Sequence, residues 1–69
     1  MGKINKIKDL RLEAELSQNQ LARLANLDRA TVSAAENYKP VNELSMAKLA
    51  RALSKALNRA VDISELNFA

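Results

Sequence analysis

The chain has 69 residues, with 11 Lys and Arg against 8 Asp and Glu, a formal net charge of +3. It holds neither Cys nor His, which excludes disulfide scaffolds, zinc sites and His- or Cys-based catalysis from a chain near the lower size limit for folding alone. Apolar residues make up 48% but aromatics only 3%, with one Gly and one Pro, so the expectation is a single all-α domain over residues 1–69 with an aliphatic core.

A flexible basic arm at residues 1–4 opens the chain, and Lys3, Lys6 and Lys8 interleave with Ile4 and Ile7. Ile7, Leu10 and Ala14 follow at three- and four-residue steps, predicting a first helix from about Asn5 to Ala14. Its lysines either touch phosphates or are simply solvated. Ser17 and Gln20 then form a capping box, with Leu16 before it as a hydrophobic staple. Leu21, Leu24 and Ala25 continue at helical spacing, and Asn26 can end that helix in the left-handed conformation. Asp28 can cap a third helix whose inner face carries Val32 and Ala35. Two helices this short, joined by so few residues, must cross steeply.

Tyr38-Lys39-Pro40-Val41 reads as a loop, because Pro40 biases Lys39 away from helical angles and stops the third helix by about Asn37. Asn42 caps the longest helix, where Leu44, Met46, Leu49, Ala50, Leu53 and Leu57 repeat as the main wall of the core. Asp62 and Glu65 form a second capping box, opening a fifth helix of a turn or two with Ile63, Leu66 and Phe68 inward. The rival reading pairs Val61 and Ile63 in a short strand. No apolar run reaches the ~20 residues of a membrane span, and no signal peptide opens the chain. Met1-Gly2 begins like a myristoylation site, but Lys6 stands where Ser or Thr is required. A soluble cytoplasmic protein is expected. The modest positive charge suits a polyanion partner and equally a slightly basic solvated surface.

The stretch LSQNQLARLANLDRATVSAAEN at residues 16–37 resembles the Cro/cI-type family, the lambda-repressor-like or XRE-type helix-turn-helix domains. Gln18, Leu21, Ala22, Leu27, Val32, Glu36 and Asn37 stand at its characteristic places, and a looser match extends over about Ile7 to Leu66. The resemblance implies a compact five-helix fold with the helix-turn-helix at residues 17–37. Ala22 suits the close approach of two crossing helices. There are departures. Asn26 replaces the usual turn Gly, Ala35 replaces a large apolar residue, and Tyr38 replaces a Gly after the Glu-Asn pair, its ring expected to fold back toward the gap. Ser54 to Ala60 makes the fourth helix about one turn longer than is common.

In such a motif the second helix enters the major groove with its N-terminal residues at the base edges. That nominates Arg29, Ala30, Ser33 and Ala34, of which Arg29 alone can make a bidentate contact with guanine O6 and N7. The alternative has Arg29 on a phosphate, or paired with Asp28 or Glu36. By resemblance Gln18 fastens a phosphate at a helix N-terminus and braces the recognition helix, the alternative being a solvent-exposed residue. Arg23, Thr31, Asn37 and Lys39 are further phosphate candidates. Arg11 and Glu36 match positions that form an ion pair in some members, here expected to be partly buried; Arg11 facing DNA is the alternative.

One domain covers only a half-site, so a homodimer on a pseudo-palindromic operator is expected. Leu57, Val61, Ile63 and Phe68 are the candidate dimer surface, beside the option that such residues turn inward, above all Leu57 and Leu66. The expected function is a sequence-specific double-stranded-DNA-binding regulator, a repressor without cofactor, metal or separate effector domain. The alternative is an antitoxin-type module that binds a toxin partner and autoregulates its promoter. An enzyme is not expected, since there is no Gly-rich phosphate loop or carboxylate cluster at catalytic spacing.

Overall fold

A computed structural model describes residues 4–62 and 66–68. Among them run four α-helices: α1 (Ile7–Glu13), α2 (Gln18–Ala25), α3 (Arg29–Glu36) and α4 (Glu43–Leu57). A two-residue antiparallel bridge joins β1 (Ile4–Asn5) to β2 (Asn67–Phe68), pairing Ile4 with Phe68 and Asn5 with Asn67. The fold is all-helical apart from this bridge. Among the described residues no helix is long and apolar enough to cross a membrane.

The two ends depart from the sequence reading. α1 starts at Ile7 rather than Asn5 because Ile4 and Asn5 are engaged in the bridge and the Lys6 N–H donates to Leu66 O at 2.9 Å. Ile4 is therefore tied to the domain, while residues 1–3 of the expected arm lie outside the described residues. Four helices are found against the five expected. Residues 63–65 of the expected fifth lie outside the described residues, and Asn67–Phe68 are extended. The rival strand is not at Val61 either; the paired residues come six positions later.

Capping sets the helix starts. Ser17 Oγ accepts from the Gln20 N–H at 3.0 Å, and Gln20 Oε1 accepts from the Ser17 N–H at 2.7 Å. Asn42 Oδ1 likewise accepts from the Ser45 N–H at 2.8 Å. Asp28 stands at the N-cap of α3 in an extended conformation, but its side chain makes no capping hydrogen bond. The expected side-chain cap is absent, and only the Asp28 carbonyl serves α3, accepting from the N–H groups of Thr31 and Val32.

All four helices end in the same way, on a non-glycine residue in the left-handed region: Glu15 (φ 59°), Asn26 (57°), Tyr38 (62°) and Asn58 (55°). In each case the next residue donates back across the turn: Leu16 N–H to Arg11 O, Leu27 to Ala22, Lys39 to Ala34 and Arg59 to Ser54. This is the Schellman arrangement, for which Gly is the usual choice. Asn tolerates the conformation through its short polar side chain, whereas Glu15 and Tyr38 bear the steric cost of a longer one.

The core is aliphatic, as composition required. Ile7, Leu10, Leu21, Val32, Leu49, Leu53 and Leu66 are buried at its centre, with Ala22, Ala25, Ala35, Ala50 and Ala52 where backbones come close. Leu16, Leu27, Val41 and Leu57 pack around it, half-buried. Two residues of the expected stripes are outside. Leu44 is 66% exposed, since at about 100° per residue it falls on the far side of α4 from Met46. Leu24 is 55% exposed, beyond the edge of the face that buries Leu21, Ala22 and Ala25.

Val61 corrects the expected dimer surface, for it is buried within the single chain. Ser54 holds it there: Ser54 Oγ accepts from the Val61 N–H at 2.8 Å and donates to Ala50 O at 2.8 Å, one turn back along α4. Leu66 also turns inward. Ile63 and the Phe68 side chain lie outside the described residues.

Candidate nucleic-acid interface

The relation of α2 to α3 determines what any ligand of this motif meets. Ala22 and Ala25 on one helix and Val32 and Ala35 on the other are buried between them and the core. The opposite side of α3 is left open. Arg29 and Ala30 are exposed at its N-terminal turn, and Ser33 and Ala34 are half-buried one turn on. The four nominated readers therefore occur on the first two turns of one helix.

Behind them runs a chain of polar contacts that reaches back to α1. Arg11 is nearly buried, with its side chain 10% exposed and that of Glu36 5% exposed. Arg11 Nε donates to Glu36 Oε2 at 2.6 Å and Nη2 to Glu36 Oε1 at 3.2 Å. The third guanidinium nitrogen, Nη1, donates to Leu16 O at 2.9 Å. This two-pronged geometry is the strong form of a charge-assisted pair. It joins the last turn of α3 to α1 and to the entry of α2, so Arg11 is a structural residue and does not face outward.

Glu36 also receives Gln18. Gln18 Nε2 donates to Glu36 Oε1 at 3.2 Å, and Arg29 Nη1 makes a long contact, 3.5 Å, to Gln18 Oε1. The Gln18 side chain is thus a brace between the two ends of α3. Its main-chain N–H, at the first position of α2, has no acceptor among the described residues and is the part of Gln18 suited to a phosphate oxygen. Arg29 is paired with neither Asp28 nor Glu36; its one partner here is a neutral carboxamide.

The remaining candidates divide. Asn37 Nδ2 donates to Ser33 O at 2.8 Å and lies 3.3 Å from Ser33 Oγ, so a nominated phosphate contact and a nominated reader are already joined. Thr31 is half-buried, and Lys39 is exposed on the loop after α3 with its main-chain N–H on Ala34 O. Arg23 stands apart, exposed and roughly 140° around α2 from Gln18; no contact brings it to the others.

A groove lined by Ala30, Thr31 and Ala34 of α3 and by Val41, Asn42 and Ser45 opens beside the recognition helix. Sequence reasoning read Asn42 only as a helix cap. Its Oδ1 has that role, and the residue also lines this groove beside α3. Nothing in the sequence distinguishes the two, because the same residue type serves both. None of these contacts is a metal site: among the described residues no group of His, Cys, Asp and Glu is placed to hold an ion.

Comparison with known proteins agrees with this geometry. A family model described as helix-turn-helix matches residues 7–63, which takes in all four helices. No curated protein and no solved structure matched the chain. With that match over most of its length, the chain belongs to the XRE-type, Cro/cI-like helix-turn-helix family, the family of DNA-binding transcription regulators.

Proposed function

We propose that this protein is a transcriptional repressor that binds a pseudo-palindromic operator as a homodimer and acts by occupying it. The observation that carries the reading is that Arg29 and Ala30 are exposed and Ser33 and Ala34 half-exposed on α3 while Glu36, at its other end, is locked to Arg11. A helix held rigidly at its base, with small side chains around one long cationic one, fits a major groove and can reach base edges.

In this reading Arg29 reads guanine, Ala30 and Ala34 offer apolar contact to a thymine methyl, and Ser33 reads weakly. The Gln18 main-chain N–H, Thr31, Asn37 and Lys39 fasten phosphates, positioning the helix without reading sequence. With a single strong reader per copy, useful specificity calls for two copies at a spacing of about 34 Å or a multiple. Leu57, half-buried, remains the described residue available to such an interface; Ile63 and Phe68 complete the proposal. Chemistry on a bound substrate has no part in this reading.

Selection from a random duplex pool tests it. The expected outcome is an enriched inverted repeat containing guanine, bound with an affinity that falls steeply as salt rises. Enrichment of nothing above the starting pool would overturn the reading, and enrichment of single, unrepeated half-sites would overturn the dimer.

A further inference from the structure

A second surface, away from the recognition helix, carries a row of cations. Lys48, Arg51 and Lys55 are spaced three and four residues apart on α4, so they stand on adjoining turns. None of the three has an ion pair among the described residues. They border a groove with Leu24 and Ala25 at the end of α2 and Ala52 on α4. Ala25 and Ala52 are buried and form a low floor, while Leu24 stands above it more than half exposed. Leu24 is six residues beyond Gln18, about 9 Å along α2 and facing away from it, so the groove is separate from the reading surface.

Like charges at this spacing repel one another and destabilise the isolated helix. An exposed leucine beside them adds apolar surface to water. A duplex backbone would relieve the first and do nothing for the second, since phosphates offer Leu24 no apolar contact. A second copy is a poor match as well. The exposed face of α1 does carry Leu12 between Asp9 and Glu13, but Lys8 adjoins Asp9 and Arg59 lies 3.8 Å from Glu13, so cations compete there for both carboxylates. A ligand that satisfies both features alternates carboxylates with apolar side chains, and the shallow groove between two helices suits a third.

We propose that the α2–α4 groove docks an acidic, leucine-bearing helical segment of a partner protein. Leu24 and the alanine floor take the apolar side chains, and Lys48, Arg51 and Lys55 hold the carboxylates. Such contact leaves α3 free and gives the DNA-bound protein a way to engage a second protein.

The test titrates the isotope-labelled full chain with a short synthetic amphipathic helix of Glu and Leu, and with the same peptide carrying Gln for Glu. Amide shifts are expected at Leu24–Asn26 and Lys48–Lys55, with the Gln peptide binding more weakly. Arg51→Glu/Lys55→Glu and Leu24→Ser, all at exposed positions, should each weaken the Glu peptide by about tenfold and leave affinity for the selected operator unchanged. Shifts elsewhere, no binding, or indifference to Leu24→Ser would overturn the proposal. So would loss of operator affinity in the charge-reversed variant, which makes the stripe a phosphate contact. Self-association of the unmodified chain that the variant abolishes would assign the groove to a second copy instead.

Discussion

Replacing Glu36 by Ala removes two hydrogen bonds from Arg11 and one from Gln18. It leaves the Arg11 guanidinium in a site where only a tenth of the side chain reaches water. The cost of that uncompensated charge outweighs the lost bonds, and breaking a buried pair from one side typically costs about 3–5 kcal/mol. A domain of this size has a total stability of roughly 3–10 kcal/mol, so Glu36→Ala should lose a third of it or more. Removing both charges at once, as Arg11→Met/Glu36→Leu, eliminates the stranded guanidinium and should return to within about 1–2 kcal/mol of the parent. Urea denaturation followed by far-ultraviolet circular dichroism measures all three proteins, with charge left unscreened. A loss below about 1 kcal/mol for Glu36→Ala would mean that the pair is solvated, because a desolvated pair cannot be broken so cheaply. A double variant no better than the single would mean that the penalty is not a stranded charge.

Tyr38→Gly should stabilise the protein by about 1 kcal/mol by relieving the left-handed backbone at φ 62°, raising the thermal midpoint by roughly 4–8 °C; Asn26→Gly, at a tolerant residue, should gain less. Ser54→Ala should cost about 1–3 kcal/mol in urea denaturation because the buried Val61 N–H loses its acceptor. Lys39→Ala should weaken DNA binding alike on every sequence and lower the salt slope by about 1, as measured by titrations at several ionic strengths.

How much of this could be read from residues alone depended on whether the determining interaction was local. Ser17 with Gln20 and Asn42 with Ser45 are pairs three residues apart, and both caps formed as the spacing implied. The periodic stripes placed Leu21, Val32, Leu49 and Leu53 in the core. Asp28 shows the limit of the same argument, because a residue type suited to capping need not use its side chain. Tyr38 shows another. Its backbone takes a left-handed turn that its residue type does not announce, and the residue is 45% exposed while Ala35 is fully buried. Periodicity cannot say where a helix stripe stops, so Leu24 and Leu44 were read as inward.

At the chain ends the decisive contacts are long-range. Ile4 is matched with Phe68, and Lys6 with Leu66, across nearly the whole sequence. No window along the chain contains both partners. Val61 was misread for a related reason: its burial depends on Ser54 turning the chain back onto α4. The Arg11–Glu36 pair, 25 residues apart, was reached only through family resemblance. The same resemblance implied that Gln18 braces the recognition helix, but not that Arg29 reaches it. The structure adds Gln18 and Arg29 to the same chain of contacts, so the residue nominated to read bases is connected to the ion pair that anchors its helix.

If α3 reads base edges through Arg29, the sequence preference of binding must depend on that side chain. Binding of the parent and of Arg29→Ala is compared across the selected operator and every single-base variant of it. The parent should discriminate at one guanine per half-site by about 1–3 kcal/mol, and Arg29→Ala should lose that discrimination while keeping the others. An equal loss of affinity on every sequence, with the preference at each position intact, would contradict this readout and make Arg29 a phosphate contact.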